Sequence, residues 1–343
     1  GYGLTSAFSP AEPPTSAITP ALPTRGFERE SIIAGDFNRD GIIDLATADV
    51  RRARISALIG EGDGSFRDAY SMTVDSGPRF LATFDLNNDG ILDLVSANGG
   101  QDFSAFNSTV SVFLGVGNGT FQPEYRIRVG EAPRELTAMD FDGDGVLDLA
   151  TANFESDDIS ILIGRGDGTF QSEFRVNVGT EPESLTAADF NRDGNVDLVV
   201  ANRQTDSLSV LLGNGAGGFT AGPDAQVDSF SRTQSVRHGD VNRDGFLDLI
   251  TTNEFNYVEV LLGNGNGTFQ TGIEVPMGED AEMALLEDLT GDGILDLVTV
   301  NRFSNDVSIR VGTSDGGDLF GPETRIPVEF DPVMLVAGDW NSD

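Results

Sequence analysis

Residues 36–45 read DFNRDGIIDL, a stretch in which acids, an amide and a glycine stand close together before the sequence turns apolar. Side chains with oxygen atoms occupy its first, third, fifth and ninth positions: Asp36, Asn38, Asp40 and Asp44. Taken alone, the stretch fits a metal-binding loop, a cluster of catalytic carboxylates or a polar turn between two strands. The rest of the sequence has to decide among these three.

The acidic stretch recurs along the chain at intervals of 48 to 55 residues. The later copies begin at Asp85, Asp140, Asp189, Asp240 and Asp288, and a partial seventh copy, DWNSD, begins at Asp339. A glycine-rich signature, for example LIGEGDGSF, lies between the copies. Its closing phenylalanine precedes the next acidic Asp by 19 residues, except after Phe219, where the distance is 21. A fixed period of about 50 residues indicates an array of one supersecondary unit.

Short apolar and β-branched runs, such as SLTAADF and DLVVAN, separate the two signatures. Runs of this length that are bounded by Gly, Asn, Asp and Pro are typical of β-strands, and no segment has a helical period. Four short strands in each of about seven units predict an all-β fold, a β-propeller with four-stranded antiparallel blades.

Composition excludes several classes of site and partner. The formal net charge of −35 would repel nucleic acid and anionic membranes and would attract multivalent cations. The chain has no cysteine, which excludes disulfides, thiolate metal sites and a cysteine nucleophile. Its one histidine, His238, leaves little room for imidazole ligands or a histidine base. No apolar run is long enough for a membrane span, so we expect no direct membrane insertion.

The paired motifs resemble the FG-GAP repeat, also called the VCBS-type repeat, of integrin α-subunit head domains and many secreted bacterial proteins. The resemblance implies a propeller, commonly seven-bladed, with calcium in the loop between the first and second strands of a blade. We expect residues 29–343 to form this propeller, truncated at its C-terminal end. Residues 1–28, rich in Pro, Ser and Thr, form an N-terminal segment that could supply an outer strand of the last blade.

The repeats allow more than one number of blades. Six complete repeats and one partial repeat favour a seven-bladed ring whose last blade is split between the two chain ends or truncated. A six-bladed ring with tails and an open fragment also fit the sequence.

Calcium is the metal that the acidic loops predict. It binds six to eight oxygens at about 2.3 to 2.6 Å, and a loop with oxygens at alternate positions and a glycine at the turn supplies them. The loop is not an EF-hand, because its twelfth position lacks the bidentate Glu, so the ninth-position Asp must complete the site. Magnesium would demand tighter octahedral geometry. We therefore expect about six structural Ca²⁺ sites, the sixth weakened by Thr290 in the amide position.

The predicted ligands are the side chains at positions one, three, five and nine of each copy and the main-chain carbonyl at position seven. They are Asp36, Asn38, Asp40, Ile42, Asp44; Asp85, Asn87, Asp89, Ile91, Asp93; Asp140, Asp142, Asp144, Val146, Asp148; Asp189, Asn191, Asp193, Asn195, Asp197; Asp240, Asn242, Asp244, Phe246, Asp248; Asp288, Thr290, Asp292, Ile294, Asp296; and Asp339, Asn341, Asp343.

Two other interpretations of the loops are weaker. Asp, Asn and Gly make good turns without a metal, but several carboxylates that converge within about 6 Å repel one another unless a cation neutralises them. A catalytic pair of carboxylates needs one site with unequal environments, whereas this chain has six equivalent copies. We therefore predict no catalytic residues, and a structural role for the loops.

The end of the propeller opposite the acidic loops is the predicted partner face. Hairpins and turns there diverge between repeats, and exposed aromatics and arginines commonly anchor interfaces. The candidate residues are Arg79, Arg134, Glu183, Phe103, Phe106, Phe255, Tyr257 and Arg302. A ring of residues six positions before each acidic copy could line the rim of the central channel: Glu30, Arg79, Arg134, Glu183, Gln234, Glu282 and Val333.

These features predict a non-catalytic, calcium-binding propeller that serves as an adhesion or protein-recognition module. We expect it outside the cytoplasm, secreted, at the cell surface or in the periplasm, because millimolar calcium there keeps even weak sites loaded. The partner would be a protein or a glycan on the face opposite the calcium loops, and not nucleic acid. The alternatives are a carbohydrate-binding, lectin-like propeller and the accessory or catalytic propeller of a polysaccharide-active enzyme.

Overall fold

The computed structural model describes residues 31–74, 76–100, 108–205, 207–227, 232–314 and 318–338. All 25 regular elements in these ranges are β-strands, and they form six antiparallel sheets. Within these ranges no helix is long and apolar enough to span a membrane. The predicted all-β propeller with four-stranded blades is confirmed.

The first three blades follow one another along the chain, each with its strands in sequence order. Blade 1 comprises β1 (Ile32–Gly35), β2 (Asp44–Asp49), β3 (Arg54–Gly60) and β4 (Phe66–Thr73). Blade 2 comprises β5 (Pro78–Phe84), β6 (Asp93–Asn98), β7 (Thr109–Phe113) and β8 (Tyr125–Arg128). Blade 3 comprises β9 (Pro133–Met139), β10 (Asp148–Asn153), β11 (Asp158–Leu162) and β12 (Phe174–Asn177).

The remaining three blades keep the same order. Blade 4 comprises β13 (Pro182–Ala188), β14 (Asp197–Asn202), β15 (Ser207–Gly213), β16 (Phe219–Ala221) and β17 (Ala225–Gln226). Blade 5 comprises β18 (Ser235–Gly239), β19 (Asp248–Thr252), β20 (Tyr257–Leu261) and β21 (Ile273–Pro276). Blade 6 comprises β22 (Ala281–Glu287), β23 (Asp296–Asn301), β24 (Asp306–Gly312) and β25 (Phe320–Pro327).

The acidic stretch is the hairpin loop between the first and second strands of each blade, as predicted. In blade 1, Gly35 at the end of β1 pairs with Asp44 at the start of β2, so the loop consists of residues 36–43. The same register recurs in blade 2, where Phe84 pairs with Asp93. The innermost strands therefore all run toward these loops, which gather at one end of the propeller. We call this end the loop end.

The hydrophobic core lies between blades, and the signature phenylalanines fill it. Phe121, at the close of the glycine-rich signature of blade 2, packs edge-on against Phe37 of blade 1, with 5.6 Å between ring centroids. Phe219 packs in the same way on Phe141, at 5.4 Å. The backbone N–H of Gly119 also donates to the carbonyl of Phe37 at 3.1 Å. The signature therefore joins each blade to the acidic loop of the blade before it.

Blade 4 departs from the pattern at its outer edge. Its fourth strand is divided into β16 and β17, both paired with β15, and residues 222–224 interrupt it. Pro223 lies in this interruption and has no N–H to donate to a strand ladder. Gln226, which pairs with Ser207, lies as far beyond Phe219 as Asn177, which pairs with Asp158, lies beyond Phe170, so the two extra residues before the next acidic copy follow β17 in the sequence.

Six blades are present among the described residues, and the predicted seventh blade is not confirmed. Residues 332–338, which have no strand pairing, lie between blades 6 and 1. Leu335 packs in the core of blade 6 with Val300, whereas Met334 and Val336 pack against blade 1. The N-terminal segment 1–28 and the partial acidic copy, with the predicted ligands Asp339, Asn341 and Asp343, lie outside the described residues.

Candidate functional site

Each acidic loop is held by hydrogen bonds from its own backbone to its own carboxylates. In loop 1, Asp36 accepts from the N–H groups of Asp40 and Gly41 at 3.2 and 2.9 Å. Asp40 accepts from the N–H of Ile42 at 2.8 Å, and its own N–H donates to Asn38 at 2.8 Å. Gly41 has φ of +83°, a conformation that glycine adopts without strain. The side chains at positions one, three and five therefore turn toward the inside of the loop.

The ninth-position Asp makes two further hydrogen bonds that connect the loop to the rest of the blade. Asp44 is fully buried and accepts from the N–H of Phe37 and the N–H of Gly60, both at 2.9 Å. Gly60 belongs to the glycine-rich signature, and a Cβ on it would lie 2.3 Å from the carbonyl oxygen of Ile43. The same pair of bonds recurs at the other five ninth-position residues: Asp93, Asp148, Asp197, Asp248 and Asp296.

Burial makes the charge of these carboxylates costly. Desolvation raises the pKa of Asp93, Asp148 and Asp248 to about 6, and the neighbouring Asp carboxylates of the loop add to the shift for each of them. Burial also raises the pKa of Asp44 and Asp197. A divalent cation in the loop would offset both the desolvation and the repulsion.

The third loop brings three carboxylates closest together. Oxygen atoms of Asp140, Asp142 and Asp148 all lie within 4.8 Å of one another, the one group of three acidic side chains so placed among the described residues. Two oxygens that each lie about 2.4 Å from one calcium ion are at most about 4.8 Å apart, so this spacing fits a shared ion. Loops 1, 2, 4 and 5 have Asn in place of Asp142.

The sixth loop differs at the position that the sequence singled out. Thr290 donates to Asp288 at 3.5 Å, and its N–H donates to Asp296 at 3.2 Å. Hydrogen bonds, first from the N–H of Gly293, lower the pKa of Asp288. The loop keeps its frame, but a hydroxyl replaces the amide or carboxylate oxygen at position three. The main-chain carbonyls of the seventh positions remain predicted ligands.

At the opposite end, residues from five innermost strands and the segment 332–338 line one pocket, which we call the channel mouth. It encloses about 550 Å³, part of it open to solvent. Six residues of the predicted rim ring line it: Arg79, Arg134, Glu183, Gln234, Glu282 and Val333. Glu30, the seventh member, lies outside the described residues.

The arginines and glutamates of the channel mouth are paired with one another or with the backbone. Arg134 lies 3.9 Å from Glu183 and covers the ring of Phe154, and Arg79 donates to the carbonyl of Gly100 at 3.1 Å. Arg237 pairs with Glu135 at 3.0 Å. These contacts give the charged side chains around the opening partners within the protein.

The other predicted partner residues lie away from the pocket. Phe255 and Tyr257 stack on each other with ring centroids 5.9 Å apart and do not line the channel mouth. Arg302 is one step removed, because it binds the lining residue Glu282 at 3.1 Å. Phe103 and Phe106 lie outside the described residues.

His238 of blade 5 is packed against blade 4. Its Nδ1 lies 2.6 Å from the hydroxyl of Thr186, and its ring packs edge-on against Phe190. Burial, with the nearby charge of Arg237, lowers the pKa of the imidazole. A neutral histidine in this contact is part of the core between blades 4 and 5.

A buried polar cluster near the channel mouth was not predicted. Asn153, at the end of β10, donates to Asp158 and to Ser160, both at 2.8 Å, and Ser160 in turn donates to Glu173 of the outer strand region. Equivalent bonds connect Asn301 with Asp306 and Ser308 in blade 6. One signal for it was visible in the sequence: Asn recurs at the end of the second strand, or directly after it, in every blade except blade 1.

These observations define a class: a β-propeller of repeated four-stranded blades, each with an acidic hairpin loop latched to a glycine-rich signature. A family model described as an FG-GAP-like repeat matches residues 36–96, 97–151, 140–200 and 189–251, which together span more than half of the chain. The chain therefore belongs to the FG-GAP-like repeat family. No curated protein matches it in sequence.

Solved structures support the same fold at low sequence identity. A lectin of Agrocybe aegerita that recognises non-reducing terminal N-acetylglucosamine is 20% identical with a TM-score of 0.59, over 89% of this chain and 81% of its own. The periplasmic gluconolactonase PpgL of Pseudomonas aeruginosa is 12% identical with a TM-score of 0.64, over 89% and 86%. A proposed 6-phosphogluconolactonase of Bacteroides fragilis is 16% identical with a TM-score of 0.67, over 88% and 85%. At these identities the likeness concerns the fold alone.

Proposed function

We propose that this chain is a non-catalytic, calcium-stabilised propeller that acts outside the cytoplasm as an adhesion or recognition module. One observation carries the proposal: six hairpin loops share one frame, in which a fully buried Asp joins the loop to the glycine-rich signature of its blade. Such a frame repeated around a ring suits a structural ion in each blade better than a reaction at one of them.

The electrostatics of the loops support the calcium part of the proposal. Burial and like charges raise the pKa of five ninth-position carboxylates, Asp44, Asp93, Asp148, Asp197 and Asp248, so that without a cation the folded state holds them at a cost. In this proposal Asp, Asn and the seventh-position carbonyl supply the oxygens, and Ca²⁺ neutralises the cluster. Sites of this kind stay loaded at millimolar calcium, which favours a location outside the cytoplasm.

Thermal unfolding tests the calcium proposal directly. Six sites, each adding about 1 to 4 kcal/mol of linkage free energy at saturating metal, should raise the melting temperature by many degrees in calcium relative to EDTA. Calcium titration by calorimetry should give a stoichiometry near six, and magnesium should stabilise less. Identical melting curves in calcium and EDTA would refute the structural role of calcium.

We also propose that residues 332–338 occupy the innermost position of a seventh blade. The segment PVMLVAG aligns with the inner strand PRFLATF of blade 2, and Leu335 corresponds to the buried Leu81. Phe66, the signature phenylalanine of blade 1, packs near Met334, as the other signature phenylalanines pack on a preceding blade. Leu335→Ala should therefore cost about 2 to 5 kcal/mol of unfolding free energy, similar to Leu81→Ala. A cost below about 1 kcal/mol would exclude this role.

Recognition is assigned in this proposal to the end that carries the channel mouth. There the ring position holds arginine, glutamate, glutamine or valine, depending on the blade, which suits a partner that is not itself repeated. Carbohydrate binding is the second candidate, favoured by the polar pocket. An enzyme remains the least supported alternative, because the acidic side chains of the channel mouth are held in ion pairs with arginine.

A further inference from the structure

We infer that the channel mouth binds a neutral polyhydroxylated small molecule, a sugar or the terminal sugar of a glycan. The inference rests on the proposed recognition role of this end of the propeller and names the class of ligand. The channel mouth is an open, concave pocket, the kind of site in which proteins commonly hold small molecules.

The charges of the lining favour a neutral ligand. Three cations and three anions line the pocket, so the lining has no net charge: Arg79, Arg134, Arg237, Glu135, Glu183 and Glu282. Arg134 and Arg237 face Glu183 and Glu135, and Glu282 is bound by Arg302. A free anion would also meet a chain of net charge −35, and a cation would meet three guanidinium groups.

Two buried polar atoms in the lining lack a partner within the described part of the chain. They are Oε1 of Gln234 and Oγ of Ser235, and both residues are only 4% exposed. The amide nitrogen of Gln234 is held by Asp280 at 2.7 Å, which directs the remaining amide oxygen away from that contact. Buried polar groups almost always find a hydrogen-bond partner, so these two call for a ligand or an ordered water.

Hydroxyl groups match this combination of donors and acceptors. A hydroxyl both donates and accepts, so neighbouring hydroxyls of a sugar can bind guanidinium, carboxylate and amide groups at once. Phe80, Met283 and Met334 add apolar side chains to the same lining. A sugar ring presents C–H groups on one face and hydroxyls at its edge, and so offers contacts to both kinds of side chain.

Ligand-observed NMR and calorimetry on the full chain in saturating calcium test the inference. The probes are D-glucose, D-galactose, D-mannose and N-acetyl-D-glucosamine, with gluconate and glucosamine as charged analogues. At least one neutral sugar should bind more tightly than both charged analogues. Ser235→Ala, which alters little else, should weaken that binding about three- to tenfold, whereas the exposed Ser172→Ala should leave it unchanged.

Gln234→Met and its exposed counterpart Gln122→Met form a second pair with the same expectation, and melting curves in calcium show that each variant is folded. Binding that is unaffected by both pocket variants would place the sugar elsewhere and overturn the inference. Absence of binding by every neutral sugar, or equal binding of gluconate, would also overturn it. Stabilisation by calcium is measured separately, so either result leaves the calcium proposal to its own test.

Discussion

The two ends of the propeller are built from the same strands, but they differ in how closely the blades repeat one another. At the loop end each blade repeats one arrangement, in which a ninth-position Asp such as Asp44 or Asp148 accepts from two backbone N–H groups. At the channel mouth the same inner strands contribute Arg79, Arg134 or Glu183, each different in charge or contact from its neighbour. Every blade must close its hairpin, so the loop end is repetitive, whereas no such shared requirement applies at the channel mouth, where the residues differ among blades.

The largest expected effect comes from removing a buried carboxylate of the loop end. Asp148→Ala leaves the N–H groups of Phe141 and Gly164 without their acceptor, at original distances of 2.8 and 2.7 Å. Two orphaned buried donors should cost about 2 to 6 kcal/mol of unfolding free energy. Chemical denaturation in EDTA measures this part, and the additional loss in calcium measures the missing ligand.

Asp142→Asn is the matched control for that variant, because four other loops carry Asn at the same position. We expect it to cost less than about 1 kcal/mol in EDTA. Equal costs for the two variants would mean that the ninth position has no special structural role and would remove the main contrast between the two ends.

A smaller effect on unfolding free energy should distinguish blades 3 and 5 at the end that carries the channel mouth. Asn153 donates to two side chains in blade 3, but in blade 5 Glu259 stands where Ser160 stands, and Nδ2 of Asn253 has no partner in the described ranges. Asn153→Ala should therefore cost about 2 to 3 kcal/mol and Asn253→Ala about 1 kcal/mol by chemical denaturation. A reversed order would show that the polar cluster does not stabilise blade 3.

Sequence reasoning located the loop end because its determinants are local. Asp36 and Asp44 lie within one hairpin, and their spacing recurs in every repeat, so the position of the loop follows from the pattern alone. The second role of Asp44, accepting from Gly60, could not be read in this way. It depends on how the third strand returns to the loop after a turn, which is a property of the folded sheet.

The channel mouth was predictable only in part, because its contacts join residues that are far apart in sequence. The position of Arg79 and Arg134 six residues before an acidic copy was enough to bring them to one rim. Their pairing with particular partners, such as Arg237 with Glu135 across blades 5 and 3, depends on contacts between strands far apart in sequence. The seventh blade was not confirmed, because the residues that would complete it lie outside the described ranges.

The smallest expected effect concerns an ion-pair cluster at the end that carries the channel mouth, and it shows whether charge there contributes to stability. Partial burial by itself raises the pKa of Glu254, but the guanidinium groups of Arg203 and Arg232, at 2.8 and 3.4 Å, lower it below its usual value. A carboxylate with a lowered pKa stabilises the fold above its unfolded-state pKa, and the contribution is lost as the pH falls through the folded-state value. Glu254→Gln should therefore cost less than about 1 kcal/mol at pH 7, since the pair is partly exposed, and the difference from the unmodified chain should vanish at acid pH.

The exposed Glu155→Gln, in the corresponding hairpin of blade 3, should show a smaller difference at pH 7. If the unfolding free energies of Glu254→Gln and the unmodified chain differ by the same amount at pH 3 and pH 7, these ion pairs do not stabilise this end of the propeller.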